Sequence, residues 1–138
     1  TYFRQELDAL LAQAQANGTA DDPVVRQELA QAYATLEIMR YNNLRMLTVV
    51  DAGGVPGPEM SIGKLLWSNW HRSLGELMVA VRGADAMAVA ADVGEGYSLD
   101  SWQRTFLYSR AATIYAGSNE IQRNIIGERV LGLPREPR

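Results

Sequence analysis

The stretch of sequence that says most about the fold reads TIYAGSNEIQRNIIGERVLGLPR over residues 113–135. It begins with the tight Ala116-Gly117-Ser118 sequence, continues as an amphipathic helix, and ends at a glycine and a proline. Gly117 permits a close approach of the backbone to another group, and Ser118 is a preferred cap for the helix that follows. This order of turn, cap and helix indicates a helical chain with a turn suited to a ligand oxygen or phosphate.

The chain before this stretch is also helical in pattern. Apolar residues recur at helical spacing over residues 2–16, which predicts a first helix. An aspartate before Pro23 is suited to cap a long second helix that reaches Val50. Glycines and prolines at residues 53–58 break that helix, and a third is predicted over residues 59–81.

The following segment completes the predicted architecture. Residues 86–96 lack a clean period and are predicted to be mostly loop, after which Ser98 or Asp100 caps a fourth helix that ends near Ala111. Nothing alternates with period two for long enough to form a strand. The sequence therefore predicts an all-α fold, an antiparallel up-and-down four-helix bundle with a short extra C-terminal helix.

Composition limits the classes of function. The 138 residues suit one domain, and a net charge of -3 offers no basic field for nucleic acid. The absence of cysteine excludes disulfides. Because the chain also has a single histidine, a metal site is disfavoured. No apolar run approaches the roughly 20 residues of a membrane span, and we expect a cytoplasmic location. Because the chain opens at Thr1 rather than methionine, we expect residues 1–138 to be a single domain of a longer protein.

Individual residues outside this stretch give little evidence of function by themselves. His71 lies on the third helix beside two tryptophans and has no second histidine at ligand spacing, so a packing role is favoured over a metal or catalytic one. The tryptophans are expected in the core or an interface. Glu120 and Glu128 are too far apart for an acid–base pair, and surface ion pairs with arginine are favoured. An anion site is the less favoured alternative for three arginines: Arg110, Arg123 and Arg129.

The sequence IYAGSNEIQR at residues 114–123 resembles the C-terminal signature of the acyl-CoA dehydrogenase family. In that signature an aromatic residue, a variable residue, glycine and threonine or serine precede an Ile-Gln-Arg helix. The tail at residues 124–135 is similar to actinobacterial members, and SIGKLL at residues 61–66 is similar to the start of the family's third bundle helix. The resemblance implies the C-terminal bundle of a three-domain enzyme, with FAD as cofactor and an acyl-CoA thioester as substrate.

The resemblance also implies roles for residues of the turn. Ala116 and Gly117 lie where relatives hold the substrate thioester, and the amide of Ala116 would polarise its carbonyl. Ser118 and Glu120 lie where relatives contact FAD. In many members a glutamate directly before the motif glycine removes the α-proton, but here that position is Ala116, so no catalytic base is assigned within the chain.

Two departures from the family pattern bear on the base and on assembly. Some relatives carry the base on the first bundle helix, in a segment that would lie mostly before Thr1, and Glu6 is expected to lie too near the far end of that helix to substitute. The Arg-x-x-Phe-Gly and Gln-x-x-Gly-Gly-x-Gly segments, which reach the neighbouring subunit's FAD in relatives, are missing at residues 17–22 and 78–86. These losses resemble actinobacterial members that pair unlike subunits and hold fewer flavins than subunits.

The main hypothesis is therefore a FAD-dependent acyl-CoA dehydrogenase that desaturates a lipid or steroid side-chain thioester. Its expected partners are the acyl-CoA, an electron-transfer acceptor and further subunits of a homo- or hetero-oligomer, with a dimer of dimers favoured. The isolated domain is not expected to be active. A non-catalytic assembly subunit that completes a partner's flavin or substrate pocket is the alternative, and an unrelated helical interaction module leaves the Ala-Gly-Ser turn unexplained.

Overall fold

All regular secondary structure is helical in the part that the computed structural model describes, which is residues 2–88 and 98–135. The predicted all-α fold is therefore confirmed. The α-helices are α1 Tyr2–Ala16, α2 Pro23–Asp51, α3 Met60–Arg82, α4 Ser101–Ala112 and α5 Asn119–Ile125. Shorter elements are the 3-10 turns Thr19–Asp21 and Gly83–Met87 and a π-helical turn at Ile126–Val130.

Helix ends follow the local signals in the sequence. α1 has its predicted bounds, and α3 is displaced by one residue at each end. The predicted aspartate cap of α2 is Asp22, whose carboxylate accepts hydrogen bonds from the amides of Val24 and Val25 at 2.7 and 3.2 Å. Pro23 follows at the first helical position, where its missing N–H costs nothing.

Asp100 is the cap of α4, in preference to Ser98. Its carboxylate accepts from the amides of Trp102 and Gln103, both at 2.8 Å, and the Gln103 side chain accepts from the Asp100 amide at 3.0 Å. These reciprocal bonds form a capping box. The Gln103 side-chain amide also donates to the carbonyl of Ala86 at 3.0 Å, which ties the start of α4 to the segment after α3.

The connection between α3 and α4 differs in part from the predicted loop. The loop was predicted over residues 86–96, and residues 89–97 lie outside the described part of the chain. The segment before them, Gly83–Met87, forms a 3-10 turn, and its last two residues, Ala86 and Met87, fall in the predicted loop. α4 spans Ser101–Ala112, so it ends one residue beyond its predicted end near Ala111.

Pairs of contacting residues give the helix directions. α2 and α4 each run opposite to α3, whereas α1 and α3 run the same way. The pairs are Ala32–Trp70 and Asn42–Gly63 for α2 and α3, Lys64–Ala112 and Arg82–Asp100 for α3 and α4, and Phe3–Trp67 and Asn17–Val81 for α1 and α3.

The hydrophobic core is centred on α3, which contacts all four other α-helices. Trp70 is 3% exposed and donates its indole N–H to the Ala32 carbonyl at 2.8 Å, so the expectation of a core tryptophan is confirmed there. Trp67 and Trp102 are partly buried against the same core. The buried core residues are Leu7, Leu10, Ala14, Leu29, Leu36, Met39, Trp70, Leu74, Leu77, Met78 and Val81.

Candidate functional site

The turn between α4 and α5 has an unusual backbone. Ala116 has φ 54° and Gly117 has φ 91°, so two successive residues lie at positive φ. Ala116 is the one non-glycine residue in this region among the described residues. A positive φ at alanine costs of order 1 kcal/mol and persists only where the surrounding structure imposes it. The turn is therefore held in its shape by contacts from outside it.

Gln122, on the first turns of α5, supplies one of these contacts. Its side chain is buried, at 6% exposure, and its amide Nε2 donates to the carbonyls of Ala116 at 3.1 Å and Gly117 at 3.4 Å. A Cβ on Gly117 would lie 2.5 Å from the same Nε2. A larger residue at position 117 would therefore be strained by its φ and would have to displace the Gln122 amide.

Asn119 anchors the start of α5 to α3. Its Oδ1 accepts from the hydroxyl of the fully buried Ser68 at 3.1 Å, and its Nδ2 donates to the Asn69 side chain at 2.8 Å. Its backbone amide donates to the Thr113 carbonyl at 3.2 Å, across the turn. These three bonds fix the turn relative to the core, because each satisfies a polar group that is removed from water.

Lys64 anchors the other side of the turn. Its ammonium group donates to the Ala112 carbonyl at the end of α4 at 2.6 Å and lies 5.2 and 5.7 Å from the ring centres of Trp67 and Tyr115. Burial lowers the pKa of the Lys64 amine below its ordinary value. A carbonyl and two aromatic faces therefore replace part of the water around this cation.

The backbone N–H groups of the turn differ from its carbonyl groups in their hydrogen bonding. Among the described residues, no acceptor takes the N–H groups of Ala116, Gly117 or Ser118, whereas the amides of Tyr115 and Asn119 on either side are bonded. Ala116 is exposed and its two successors are half-buried. Successive amides without an acceptor are suited to bind an anion or a carbonyl oxygen.

Ser118 and Glu120, the two residues with an expected FAD role, lie at the start of α5. The Ser118 hydroxyl accepts from the Ile121 amide at 3.5 Å and so caps α5, as its sequence position predicted. The Glu120 side chain is 76% exposed and lies 3.8 Å from Arg123, the surface ion pair that was predicted. The amide of Glu120 and then the Ser118 hydroxyl lower the pKa of this carboxyl group.

The three arginines weighed as an anion site do not share one place. Arg110 on α4 pairs across the bundle with Glu76 at 3.1 Å, while Arg123 pairs with Glu120 on its own helix. Arg129 lies in the π-helical turn and is exposed. The geometry therefore favours separate surface roles, the preferred sequence interpretation. No cluster of metal-binding side chains occurs in the described ranges.

The structure places Glu6 and His71 together, a pairing that sequence reasoning missed. Both carboxylate oxygens of Glu6 lie 3.3 Å from Nε2 of His71, and the two side chains are only 10% and 12% exposed. The expected packing role of His71 is borne out, since its ring also packs against Phe3 at 5.6 Å. Because 65 positions separate the pair, no local pattern announced it.

Residues 2–131 match the family described as "Acyl-CoA dehydrogenase, C-terminal domain". The acyl-CoA dehydrogenase IpdE1 of Mycolicibacterium smegmatis is 46% identical over 134 residues, and that of Mycobacterium tuberculosis is 47% identical over 135. Each match covers 97% of this chain but only 32% and 33% of the relatives, so the chain spans about a third of their length.

Solved structures agree with this match. A chain of the "Tcur3481-Tcur3483 steroid ACAD" superimposes with a TM-score of 0.79 at 25% identity, over 97% of this chain and 35% of that one. A variant of the same protein gives a TM-score of 0.78.

No α-helix in the described part of the chain is sufficiently long and apolar to cross a bilayer.

Proposed function

This chain belongs to the acyl-CoA dehydrogenase family, and we propose that it contributes the thioester-binding turn of a FAD-dependent enzyme that desaturates an acyl-CoA between its α- and β-carbons. The chain is proposed to act as the C-terminal helical domain of a longer protein. The name of the solved steroid acyl-CoA dehydrogenase supports a steroid-derived or similarly bulky acyl group as the substrate class.

The observation that carries the proposal is the row of unbonded amides at Ala116, Gly117 and Ser118. Removing an α-proton from a thioester places negative charge on the carbonyl oxygen, and fixed N–H donors aimed at that oxygen lower the barrier. The Gln122 amide and the Asn119 bonds hold the turn from behind, so little reorganisation accompanies the reaction. Ala116 and Gly117 are thus proposed to bind the substrate.

The outer surface beside the turn is suited to FAD. Ile114 is 69% exposed and Ile121 is 50% exposed, which leaves an apolar rim next to the hydrogen-bonding groups of Ser118 and Glu120. An apolar surface with a few polar groups is the usual composition of a cofactor site. FAD, when bound, accepts the hydride from the β-carbon, and Ser118 and Glu120 are proposed to contact it.

The proton-abstracting group is proposed to come from outside the turn. The methyl side chain of Ala116 has no titratable group, and the neighbouring Glu120 points to solvent and pairs with Arg123. A general base must lie within hydrogen-bond reach of the proton that it removes. We therefore assign no catalytic base to this chain and expect a carboxylate from the rest of the full-length protein or from a partner subunit.

The decisive experiment uses the full-length protein co-expressed with any homologous subunit encoded beside it. A yellow complex with bound flavin is expected, and its flavin absorbance should bleach when a cyclic or steroid side-chain acyl-CoA is added without an electron acceptor. A purified complex without flavin, or one whose flavin stays oxidised with every thioester, would overturn the proposal.

One observation favours a second candidate, a subunit that completes a partner's site without its own catalysis. Ala116 occupies the position of the common base in the family, so the turn alone cannot start the reaction. On this alternative the full-length protein purified alone binds no FAD, yet it raises the activity of a copurified partner. Flavin content measured for the single subunit and for the complex separates the two candidates.

A further inference from the structure

The last residue of α4, Ala112, is fully buried, so its carbonyl group needs a hydrogen-bond partner inside the protein. In a helix that continued, this carbonyl would accept from the amide four positions later, which is that of Ala116. The preceding bond of this kind is present, because the Tyr115 amide donates to the Ala111 carbonyl at 3.0 Å. The next one is missing, since no backbone N–H of the described residues donates to the Ala112 carbonyl.

Lys64 on α3 replaces the missing helical bond. Its ammonium group donates to the Ala112 carbonyl at 2.6 Å, across 48 positions of sequence. Lysine side chains are suited to bond the last carbonyls of a helix, and the helix dipole favours a positive charge there. Ala116 therefore lies outside the helical bonding pattern: it has φ 54°, is exposed, and its N–H has no acceptor among the described residues.

Two aromatic rings restrict the Lys64 ammonium group to this position. It lies 5.2 Å from the ring centre of Trp67, one turn further along α3, and 5.7 Å from that of Tyr115. The two ring centres are 6.2 Å apart. Contact of a cation with aromatic faces is favourable and adds to the carbonyl bond. Lys64 thus joins α3 both to the end of α4 and to the residue directly before Ala116.

We propose that Lys64 is a positioning residue for the thioester, because by occupying the Ala112 carbonyl it keeps the Ala116 amide free to donate to the substrate carbonyl oxygen. The inference rests on the proposed function, in which this amide stabilises the negative charge that develops on that oxygen. Without the lysine, continuation of α4 by one bond would satisfy the buried carbonyl with the Ala116 N–H. That N–H would then no longer be available to the thioester.

The first test replaces Lys64 by methionine, which has a similar length but no donor, in the full-length protein complexed with its homologous subunit. Loss of one donor to a developing oxyanion predicts that flavin bleaching at saturating thioester slows by about a hundredfold, measured with the acyl-CoA that bleaches wild type. The thioester concentration that gives half the maximal rate should change much less, because this bond strengthens in the transition state. Lys64→Arg keeps the charge and N–H donors and should retain most of the rate.

Arg110→Met is the matched control. Arg110 is also a cation that donates between α4 and α3 to a backbone carbonyl, that of Arg72 at 3.3 Å, but its bonds involve neither Ala112 nor Ala116. This variant should bleach at the wild-type rate. Equal slowing in the two methionine variants, or a wild-type rate in a folded Lys64→Met protein, would overturn the inference.

Hydrogen exchange at single-residue resolution tests Lys64 independently of catalysis, again in the full-length complex. After correction for intrinsic rates, the wild-type Ala116 amide should exchange faster than the bonded Tyr115 amide, and Lys64→Met should slow it by about tenfold. If no thioester is oxidised, the proposed function fails, whereas this slowing would still support the role of Lys64 in keeping the amide free. An Ala116 amide already protected in wild type, a result that needs no variant, would refute that role, as would unchanged exchange in folded Lys64→Met.

Discussion

Gly117 and Gln122 fit together so closely that a Cβ on the glycine would lie 2.5 Å from the glutamine Nε2. The same Nε2 donates to the Gly117 carbonyl at 3.4 Å and to the preceding carbonyl of Ala116 at 3.1 Å. The proposed thioester-binding turn is therefore shaped by a side chain that follows it in sequence.

Replacement of Gly117 by alanine is expected to destabilise the protein through two effects. The residue has φ 91°, where an alanine costs about 1 kcal/mol or more, and the new methyl group displaces the Gln122 amide. Gly18→Ala is a matched control, because φ is 79° there but nothing lies within 4 Å of the added Cβ. Denaturant unfolding should show a larger loss for Gly117→Ala, and equal losses would contradict the proposed role of Gln122.

Replacement of Gln122 by methionine removes the donated hydrogen bonds with little change in size. Two carbonyls lose their partner, so we expect the free energy of unfolding to fall by about 1–3 kcal/mol. Flavin bleaching by an acyl-CoA should slow as well, since the turn amides are no longer held. Gln31→Met makes the same chemical change on the exposed face of α2 and should have little effect; a similar loss at both sites would argue against a special role for Gln122.

Two glycines of α3 should respond in opposite ways to alanine. A Cβ on Gly75 would lie 3.0 Å from Cα of Phe106 and 3.1 Å from Oγ of Ser109, so α4 would have to move. We expect Gly75→Ala to cost about 1–3 kcal/mol of unfolding free energy. Gly63→Ala meets only the Asn42 side chain, at 3.6 Å, and should gain roughly 0.5–1 kcal/mol from helix propensity. Thermal and denaturant unfolding of both variants measures the contrast, and a gain at Gly75 would show that the helices are not in close contact there.

The environment of Asp100 leads us to predict that the free energy of unfolding depends on pH in the acid range. Burial acts to raise the pKa of the Asp100 carboxyl group. The ion pair with Arg82 and the hydrogen bonds from the amides of Gln103 and Trp102 lower it by more, so the pKa lies below its ordinary value. Its contribution is therefore present above the unfolded pKa of about 3.9 and is lost as pH falls through the lower folded pKa.

Two variants separate charge from capping at this position. Asp100→Asn keeps a good cap but removes the charge, so its deficit relative to wild type should be present at neutral pH and shrink in acid below about pH 4. Asp100→Ala also removes the cap and should cost about 1 kcal/mol more. Denaturant unfolding across this range provides the measurement, and a deficit of Asp100→Asn that does not change with pH would disprove the role of charge.

Much of the fold could be predicted because its signals are local. A cap such as Asp22 or Ser118 bonds amides two or three residues away, and the glycines and prolines after α2 end a helix wherever they occur. The short 3-10 turn at Gly83–Met87 was missed because its residues carry no regular period. The position of the turn motif was also visible in sequence, although its assigned roles at Ala116, Gly117, Ser118 and Glu120 stay predictions.

By itself, the amino-acid sequence determined the helices, their caps and the identity of the Ala116-Gly117-Ser118 turn, because these depend on neighbours within a few residues. Only the tertiary structure decided that Glu6 meets His71 across 65 positions and that Asn119 bonds Ser68 across 51. Such contacts depend on how α1 and α5 pack against α3. Side-chain burial and hydrogen bonding between helices set that packing, and helical periodicity shows which face is buried but not which residues meet there.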